Sequence, residues 1–100
     1  MKESEIEKHL NKRVKENNGL TYKWISTVTG VPDRIVIMNN RVLFVELKTQ
    51  TGVLSERQKL VFRELEHHGQ PVIIIRSKSD VENFIQGLLN EKGTSKELPE

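Results

Sequence analysis

Three charged residues at one end of a predicted pair of strands could hold a divalent cation. Asp33 precedes the apolar run Arg34–Met38. Glu46 lies near the end of a second run, Val42–Leu47, and Lys48 follows that run. Because side chains alternate faces along a strand, Glu46 and Lys48 share one face. Carboxylate oxygens suit hard cations, whereas zinc prefers nitrogen and sulfur ligands. The residue types therefore predict a Mg²⁺ site, in which Mn²⁺ can substitute, beside a lysine.

The turn between the two runs determines which residues face one another. Asn39 and Asn40 tolerate the positive φ values that a two-residue type I′ turn requires. If the residues that flank this turn pair, paired residue numbers sum to 79, and Asp33 lies opposite Glu46. Directly opposed residues have Cβ atoms roughly 4.5 to 5.5 Å apart, and like charges at that distance destabilise a sheet. The two carboxylates therefore require a compensating cation.

These residues and their neighbours resemble the VRR-NUC branch of the PD-(D/E)xK nucleases. The signature is matched by PD at positions 32–33 and ELK at positions 46–48, in the settings GVPDRIVI and FVELKTQTGVLSERQ. The resemblance extends from about Glu3 to the strand near Ile75. It implies a metal-dependent DNA endonuclease. Small stand-alone members are similar to phage-encoded Holliday junction resolvases that act as homodimers.

The resemblance also implies roles for individual residues. The metal ligands would be Asp33, Glu46 and the backbone carbonyl of Leu47. Lys48 would orient a water molecule or stabilise the extra negative charge of the transition state. The catalytic residues that the resemblance implies are Glu3, Asp33, Glu46, Lys48 and Gln58.

Two acids of the first helix, predicted for residues 2–17, are alternatives for one of these positions. Glu3 lies near the centre of the apolar stripe, and Glu7 lies at its edge. The helix dipole favours an acid in the first turn whatever else that acid does. The family spacing favours Glu3, and Glu7 remains the alternative. The stripe itself consists of Ile6, Leu10 and Val14.

Gln58 has two competing interpretations in a second helix, predicted for residues 55–68. The segment from Ser55 to Gln58 fits a capping box, in which the glutamine side chain reaches back to the Ser55 amide. Gln58 also heads the apolar stripe that faces the sheet, and the VRR-NUC pattern has an active-site glutamine here. The two roles would compete for one side-chain amide.

The order of the remaining elements predicts an α/β fold with a mixed sheet of about four strands. The nuclease resemblance implies the same restriction-endonuclease-like αβββαβ core. A strand is predicted at Leu20–Ser26, with Trp24 in the core in preference to stacking on a base. The apolar run Pro71–Ile75 predicts a strand inside the sheet. Ser79–Glu82 fits a capping box for the last helix.

Composition limits the classes of protein and of site. The 100 residues suit a single domain, 1–90, followed by a polar and disordered tail, 91–100. The absence of cysteine excludes disulfides and thiolate zinc sites. The charged N-terminus and the lack of an apolar run of roughly 20 residues favour the cytoplasm of a bacterial or phage-infected cell over a membrane or secretion. A pI near 9.0 favours an anionic partner.

The family resemblance implies DNA, branched or four-way in form, as the partner, and helix-borne cations would be its contacts. Junction resolution competes with generic nicking and flap cleavage. A DNA-binding module without hydrolysis, or a protein-interaction domain without salt-dependent DNA affinity, would belong to other classes. Resolution requires two symmetric incisions, so a resolvase of this size is expected to be a homodimer. The cations in question are Lys12, Arg13 and Lys15.

Overall fold

The computed structural model describes residues 1–91, which form one four-stranded sheet and three helices. This content confirms the predicted α/β class and the predicted order of the core elements. In chain order the elements are α1 (Glu3–Glu16), β1 (Leu20–Lys23), β2 (Arg34–Met38), β3 (Arg41–Leu47), α2 (Glu56–His67), β4 (Val72–Ile75) and α3 (Lys78–Leu89).

The sheet is mixed, and its strand order is the same as the chain order. The pairs β1–β2 and β2–β3 are antiparallel, whereas β3–β4 is parallel. Asn39 and Asn40 have φ values of 53° and 64°, as a type I′ turn requires. Met38 pairs with Arg41, so the predicted hairpin register is confirmed.

The main core lies between one face of the sheet and the two helices α1 and α3, which pack against each other. The predicted α1 stripe is confirmed, because its three residues are fully buried. Burying one such aliphatic side chain contributes roughly 1.5–3 kcal/mol relative to its exposure. This core therefore holds α1 firmly over the hairpin. Its sheet residues are Val36, Met38, Leu43, Val45, Leu47 and Ile75.

Helix α2 lies on the opposite face, since it connects the parallel strands β3 and β4. Val61 and Phe62 are its buried residues. Phe62 lines a small cavity with Val72 and Ile74, the two β4 residues that alternate with the core residue Ile75. The β4 run is apolar throughout because its two faces contact different helices.

Three expectations about secondary structure are wrong in detail. β4 is an edge strand, and Ile74 is 36% exposed, because the crossover adds β4 outside β3. The α3 cap is Ser77, whose side chain accepts from the Asp80 amide at 3.0 Å, so the helix begins at Lys78, two residues earlier than a cap at Ser79 predicts. β1 ends at Lys23, short of the predicted strand end.

Trp24 follows β1 and is half-buried. Its ring packs against that of Phe44 with centroids 5.1 Å apart, in a tilted arrangement. The Trp24 amide donates to the Asp33 carbonyl at 2.9 Å, so the chain continues along β2 past the end of β1. The tryptophan therefore braces the same end of the hairpin that carries the candidate carboxylates.

The end of the described chain is attached to the sheet. Glu91 forms an ion pair with Arg41 at the start of β3. The rest of the predicted tail, 92–100, lies outside the described residues. Within residues 1–91, the helices are too short or too polar to cross a membrane.

Candidate active site

The hairpin brings Asp33 to the end of β3 that carries Glu46. Arg34 pairs with Val45, so Asp33 and Glu46 are the next two opposed positions. The Asp33 side chain accepts a hydrogen bond through Oδ2 from the Leu47 amide at 2.9 Å. This contact holds one carboxylate against the backbone beside the other and leaves Asp33 Oδ1 for another ligand.

Glu46 is a buried carboxylate with an incomplete set of partners. Its residue is 1% exposed. Oε2 accepts from Gln58 Nε2 at 2.8 Å and lies 3.6 Å from Lys48 Nζ. Oε1 is buried and lacks a hydrogen-bond partner among the described residues. A buried charge without full compensation is costly, so this oxygen is a candidate ligand atom for a cation.

The surroundings of Glu46 also change its acidity. Burial, and secondarily the negative charge of Asp33, raise the pKa of Glu46 from 4.5 to about 7, while Lys48 acts in the opposite direction. The protonated form of Glu46 therefore predominates below about pH 7. A bound cation would replace that proton, because it stabilises the ionised form.

Gln58 caps its helix and also contacts Glu46, while its predicted role in the active site stays a prediction. Its Oε1 accepts from the Ser55 amide at 2.9 Å and completes the capping box, while its Nε2 donates to Glu46. The expected competition between the two roles is wrong, because a side-chain amide has an acceptor at one end and donors at the other. The helix cap thus orients the group that contacts Glu46.

A cleft of about 230 Å³ opens beside Asp33. Both first-helix acids line it, but they differ in their contacts. Glu7 accepts through Oε2 from Arg34 Nη1 at 2.9 Å, whereas Glu3 is exposed in the first turn. Glu3 as the catalytic acid stays a prediction. The lining residues are Glu3, Ser4, Glu7, Lys23, Asp33 and Leu47.

Arg34 is a site neighbour that the sequence analysis missed. It is 8% exposed, and its Nε donates to Thr21 Oγ1 at 2.9 Å while Nη1 binds Glu7. Arg34 occupies an inward position of β2, in alternation with Val36. A charged residue at an inward strand position requires a buried partner, and that pattern could have revealed the pair.

Arg76 is a second residue that sequence reasoning missed. Its Nη1 donates to the carbonyl oxygens of Thr49 and Gly52 at 2.8 and 2.5 Å. These carbonyls belong to the loop that follows Lys48, so Arg76 holds this loop against the end of β4. The partners are backbone atoms, which leave no signal in the sequence.

The three predicted DNA-contacting cations lie towards the far end of α1. Lys12 is nine residues from Glu3, which corresponds to roughly 14 Å along the helix. Arg13 forms ion pairs with Glu16 and Glu82 at 2.8 and 2.9 Å. Lys23 is the cation that lines the cleft beside Asp33.

The donor atoms fit a hard cation that retains several water ligands. Glu46 Oε1 is a buried oxygen without a hydrogen-bond partner, and Asp33, the residue opposite Glu46 in the hairpin, accepts from the Leu47 amide. Across the described part of the chain, groups of three or more His, Cys, Asp or Glu side chains that could enclose a metal are absent. Such a site suits Mg²⁺, which usually binds one or two carboxylates and keeps much of its water.

Comparisons with known proteins show which family this chain resembles. The family model described as "VRR-NUC domain" matches residues 1–79. "Putative nuclease p44" of Acyrthosiphon pisum secondary endosymbiont phage 1 is 35% identical over 80 residues, which cover 78% of this chain and 86% of that protein.

A solved structure described as "VRR_NUC domain" matches the fold with a TM-score of 0.77 and 23% identity, over 84% of this chain and 94% of that one. This likeness supports the αβββαβ arrangement. The family model itself covers more than three-quarters of the chain and includes the whole carboxylate hairpin and the Gln58 helix. The chain therefore belongs to the VRR-NUC family of nuclease domains.

Proposed function

We propose that the chain is a Mg²⁺-dependent DNA endonuclease whose cation is held by Asp33, Glu46 and the Leu47 carbonyl. The observation that carries this proposal is the state of Glu46. Its carboxylate is buried, bound on one side by Gln58 and Lys48, and unpartnered at Oε1 beside Asp33. Most buried side-chain oxygens have a hydrogen-bond partner. Asn11 Oδ1 and Glu91 Oε2 are further exceptions among the described residues, but Glu46 differs from them in lying opposite a second carboxylate, Asp33.

The bound cation would act as a Lewis acid on a phosphate oxygen and would lower the pKa of a water ligand. Lys48 lies 3.6 Å from Glu46, so its ammonium group would stabilise the negative charge that develops on the phosphate. Gln58 fixes the orientation of Glu46, and Glu3 would complete the outer ligand shell from the cleft. In the overall reaction the water oxygen bonds to phosphorus, one phosphorus–oxygen ester bond breaks, and the leaving oxygen takes up a proton.

We further propose that the substrate is branched DNA, with Holliday junction resolution as the activity and a homodimer as the active form. The support is the resemblance to small stand-alone VRR-NUC nucleases and the similarity to a phage protein named as a nuclease. One chain carries one carboxylate pair, and two symmetric incisions require two. Generic nicking and flap cleavage are the alternatives within nucleases. A binding module without hydrolysis is disfavoured, because the chain retains Asp33, Glu46 and Lys48.

A substrate panel tests this proposal. The protein is incubated with four-way junction, flap, nicked and linear duplex DNA of the same sequence, with Mg²⁺ or with EDTA. We expect paired, symmetric nicks in the junction with Mg²⁺ and no cleavage in EDTA. Equal cleavage of flaps and junctions would contradict the resolvase assignment. Failure to cleave any of the four DNAs with Mg²⁺ or Mn²⁺ would contradict the nuclease assignment.

A further inference from the structure

One face of the first three strands is apolar and partly exposed. The register places six residues on the side opposite to α1 and α3, and we call them the open sheet face. Tyr22 is 55% exposed, Val42 is 52% exposed and Leu20 is 51% exposed. Helix α2 packs against β4, and its first turn reaches β3 at Glu46, through Gln58. The open sheet face consists of Leu20, Tyr22, Ile35, Ile37, Val42 and Phe44.

This composition is unusual for a sheet face in water. An antiparallel sheet with one solvated face normally carries polar residues on that face, in alternation with inward apolar residues. Here the outward positions are apolar as well. Four polar side chains of these strands, Thr21, Lys23, Arg34 and Arg41, lie on the same side as α1. Glu46 follows Phe44 on the open side of β3, but it is buried. A contiguous apolar face of this kind marks an interaction surface.

The chemistry of the face restricts its occupant. It carries no charge, so it offers nothing to a DNA phosphate, and the cleft beside Asp33 is lined by other residues. An uncharged apolar face is complementary to itself, because two copies can meet without repulsion between like charges. Two sheets can pack face to face at about 10 Å with their strands within about 30° of each other.

The size of the protein is consistent with such contact. The described chain exposes 6937 Å². A stable interface usually takes roughly 800 Å² from each partner, which is about a ninth of that surface. The open sheet face would form the centre of this interface. Ile25 and Val28, which are 85% and 50% exposed in the loop after β1, add further apolar surface.

We propose that the open sheet face is the surface through which two copies of this chain pack. The inference deepens the proposed homodimeric nuclease and rests on it for its biological meaning. Asp33 and Glu46 lie at the same end of the hairpin, opposite to its Asn39–Asn40 turn. A twofold axis that runs parallel to the strands therefore places both carboxylate pairs at one end of the dimer, where they face one DNA molecule.

Charged substitutions on this face test the proposal without DNA. We would compare Val42→Glu and Tyr22→Glu with Leu89→Glu, a matched control on α3 that starts from 50% exposure. Sedimentation velocity from about 1 to 200 µM measures the association. We expect the wild-type and Leu89→Glu proteins to be dimers and the two face variants to have dissociation constants at least about a hundredfold higher, because each dimer would bury two unpaired charges.

A milder substitution tests the same face if the charged variants fail to fold. Val42→Thr preserves β-branching and should fold even if the charged variants do not. We expect it to weaken the dimer by about tenfold, with an unchanged circular dichroism spectrum. A monomeric wild-type protein over the whole concentration range would overturn the proposal. So would a dimer that Val42→Glu and Tyr22→Glu leave intact, or one that Leu89→Glu dissociates equally.

The same variants separate this inference from the proposed activity. If the open sheet face is the dimer interface and the chain is a nuclease, the monomeric Val42→Glu protein should still make single Mg²⁺-dependent nicks. It should no longer make paired incisions in a junction. A wild-type dimer that depends on Val42 but cleaves no DNA would support the face and refute the activity.

Discussion

Gln58 Nε2 donates a hydrogen bond to Glu46 Oε2 at 2.8 Å, across the space between α2 and β3. The same side-chain amide caps its own helix through Oε1 and the Ser55 amide. The start of α2 and the orientation of a buried carboxylate are therefore coupled through one residue. The capping box orients the amide, and the amide contacts Oε2 of Glu46 and not Oε1.

This coupling gives a pair of variants that separate the cap from the site. Ser55→Ala removes the capping hydroxyl, whereas Gln58→Ala removes the cap contact and the hydrogen bond to Glu46. Each should lower the free energy of unfolding by roughly 0.5–2 kcal/mol. We expect Gln58→Ala alone to lower the cleavage rate, by about tenfold or more. Equal rates for the two variants would show that Gln58 acts only as a cap.

The acidity of Glu46 predicts an unusual dependence of stability on pH in EDTA. Its pKa in the fold is about 7, above the ordinary value of 4.5, so folding favours the protonated form. The stabilisation is complete below about pH 4.5 and is lost as the pH rises through about 7, by an amount on the order of a few kcal/mol.

Thermal unfolding of wild type and Glu46→Gln from pH 4.5 to 8 checks this expectation. The melting temperature of the wild type should fall relative to that of the variant as the pH rises. Saturating Mg²⁺ at pH 8 should restore it in the wild type alone, because the cation binds the folded protein. Parallel curves for the two proteins would exclude a raised pKa of Glu46.

The two first-helix acids should differ in what they support. Glu7 is ion-paired with the buried Arg34, so Glu7→Gln leaves that guanidinium without its charge partner and should cost about 1–3 kcal/mol of stability. Glu3→Gln should leave the melting temperature unchanged and slow cleavage. Measuring both properties on both variants assigns the roles. Normal cleavage by Glu3→Gln together with slow cleavage by Glu7→Gln would reverse the assignment.

Arg76 should act on the reaction through the loop that follows Lys48. Arg76→Ala removes the donors to the Thr49 and Gly52 carbonyls. We expect kcat to fall about tenfold with little change in KM, because the loop would no longer hold the Lys48 ammonium group in position. Arg76→Lys should recover only part of the rate, since a single ammonium cannot reproduce the guanidinium geometry. A full rate in Arg76→Ala would remove this positioning role.

Local rules made much of the fold predictable. The turn at Asn39–Asn40 depends on the backbone of two residues, and it alone sets the register that brings Asp33 to Glu46. The apolar stripe of α1 depends on helical periodicity. The fold class, the hairpin and the Ser55 cap were therefore readable from short segments.

The errors arose where distant segments meet. The Arg34–Glu7 pair joins residues 27 positions apart, and Arg76 binds backbone atoms of a loop. The position of β4 at the edge depends on where α2 returns to the sheet. The α3 cap is a local feature, but Ser77 and Ser79 each have an acid three residues later, so the sequence pattern does not distinguish them.

The rate of Mg²⁺-dependent cleavage by Glu46→Gln tests the central claim most directly. The variant keeps the size of the side chain and removes the charge that would hold the cation. Wild type and Glu64→Gln, an exposed change on α2, serve as references, and Asp33→Asn and Lys48→Ala should behave like Glu46→Gln. We expect the rate to fall at least about a hundredfold while the fold and most DNA affinity remain. A folded Glu46→Gln protein that cleaves within a few-fold of the wild-type rate would contradict the assignment of Asp33 and Glu46 as the catalytic metal centre.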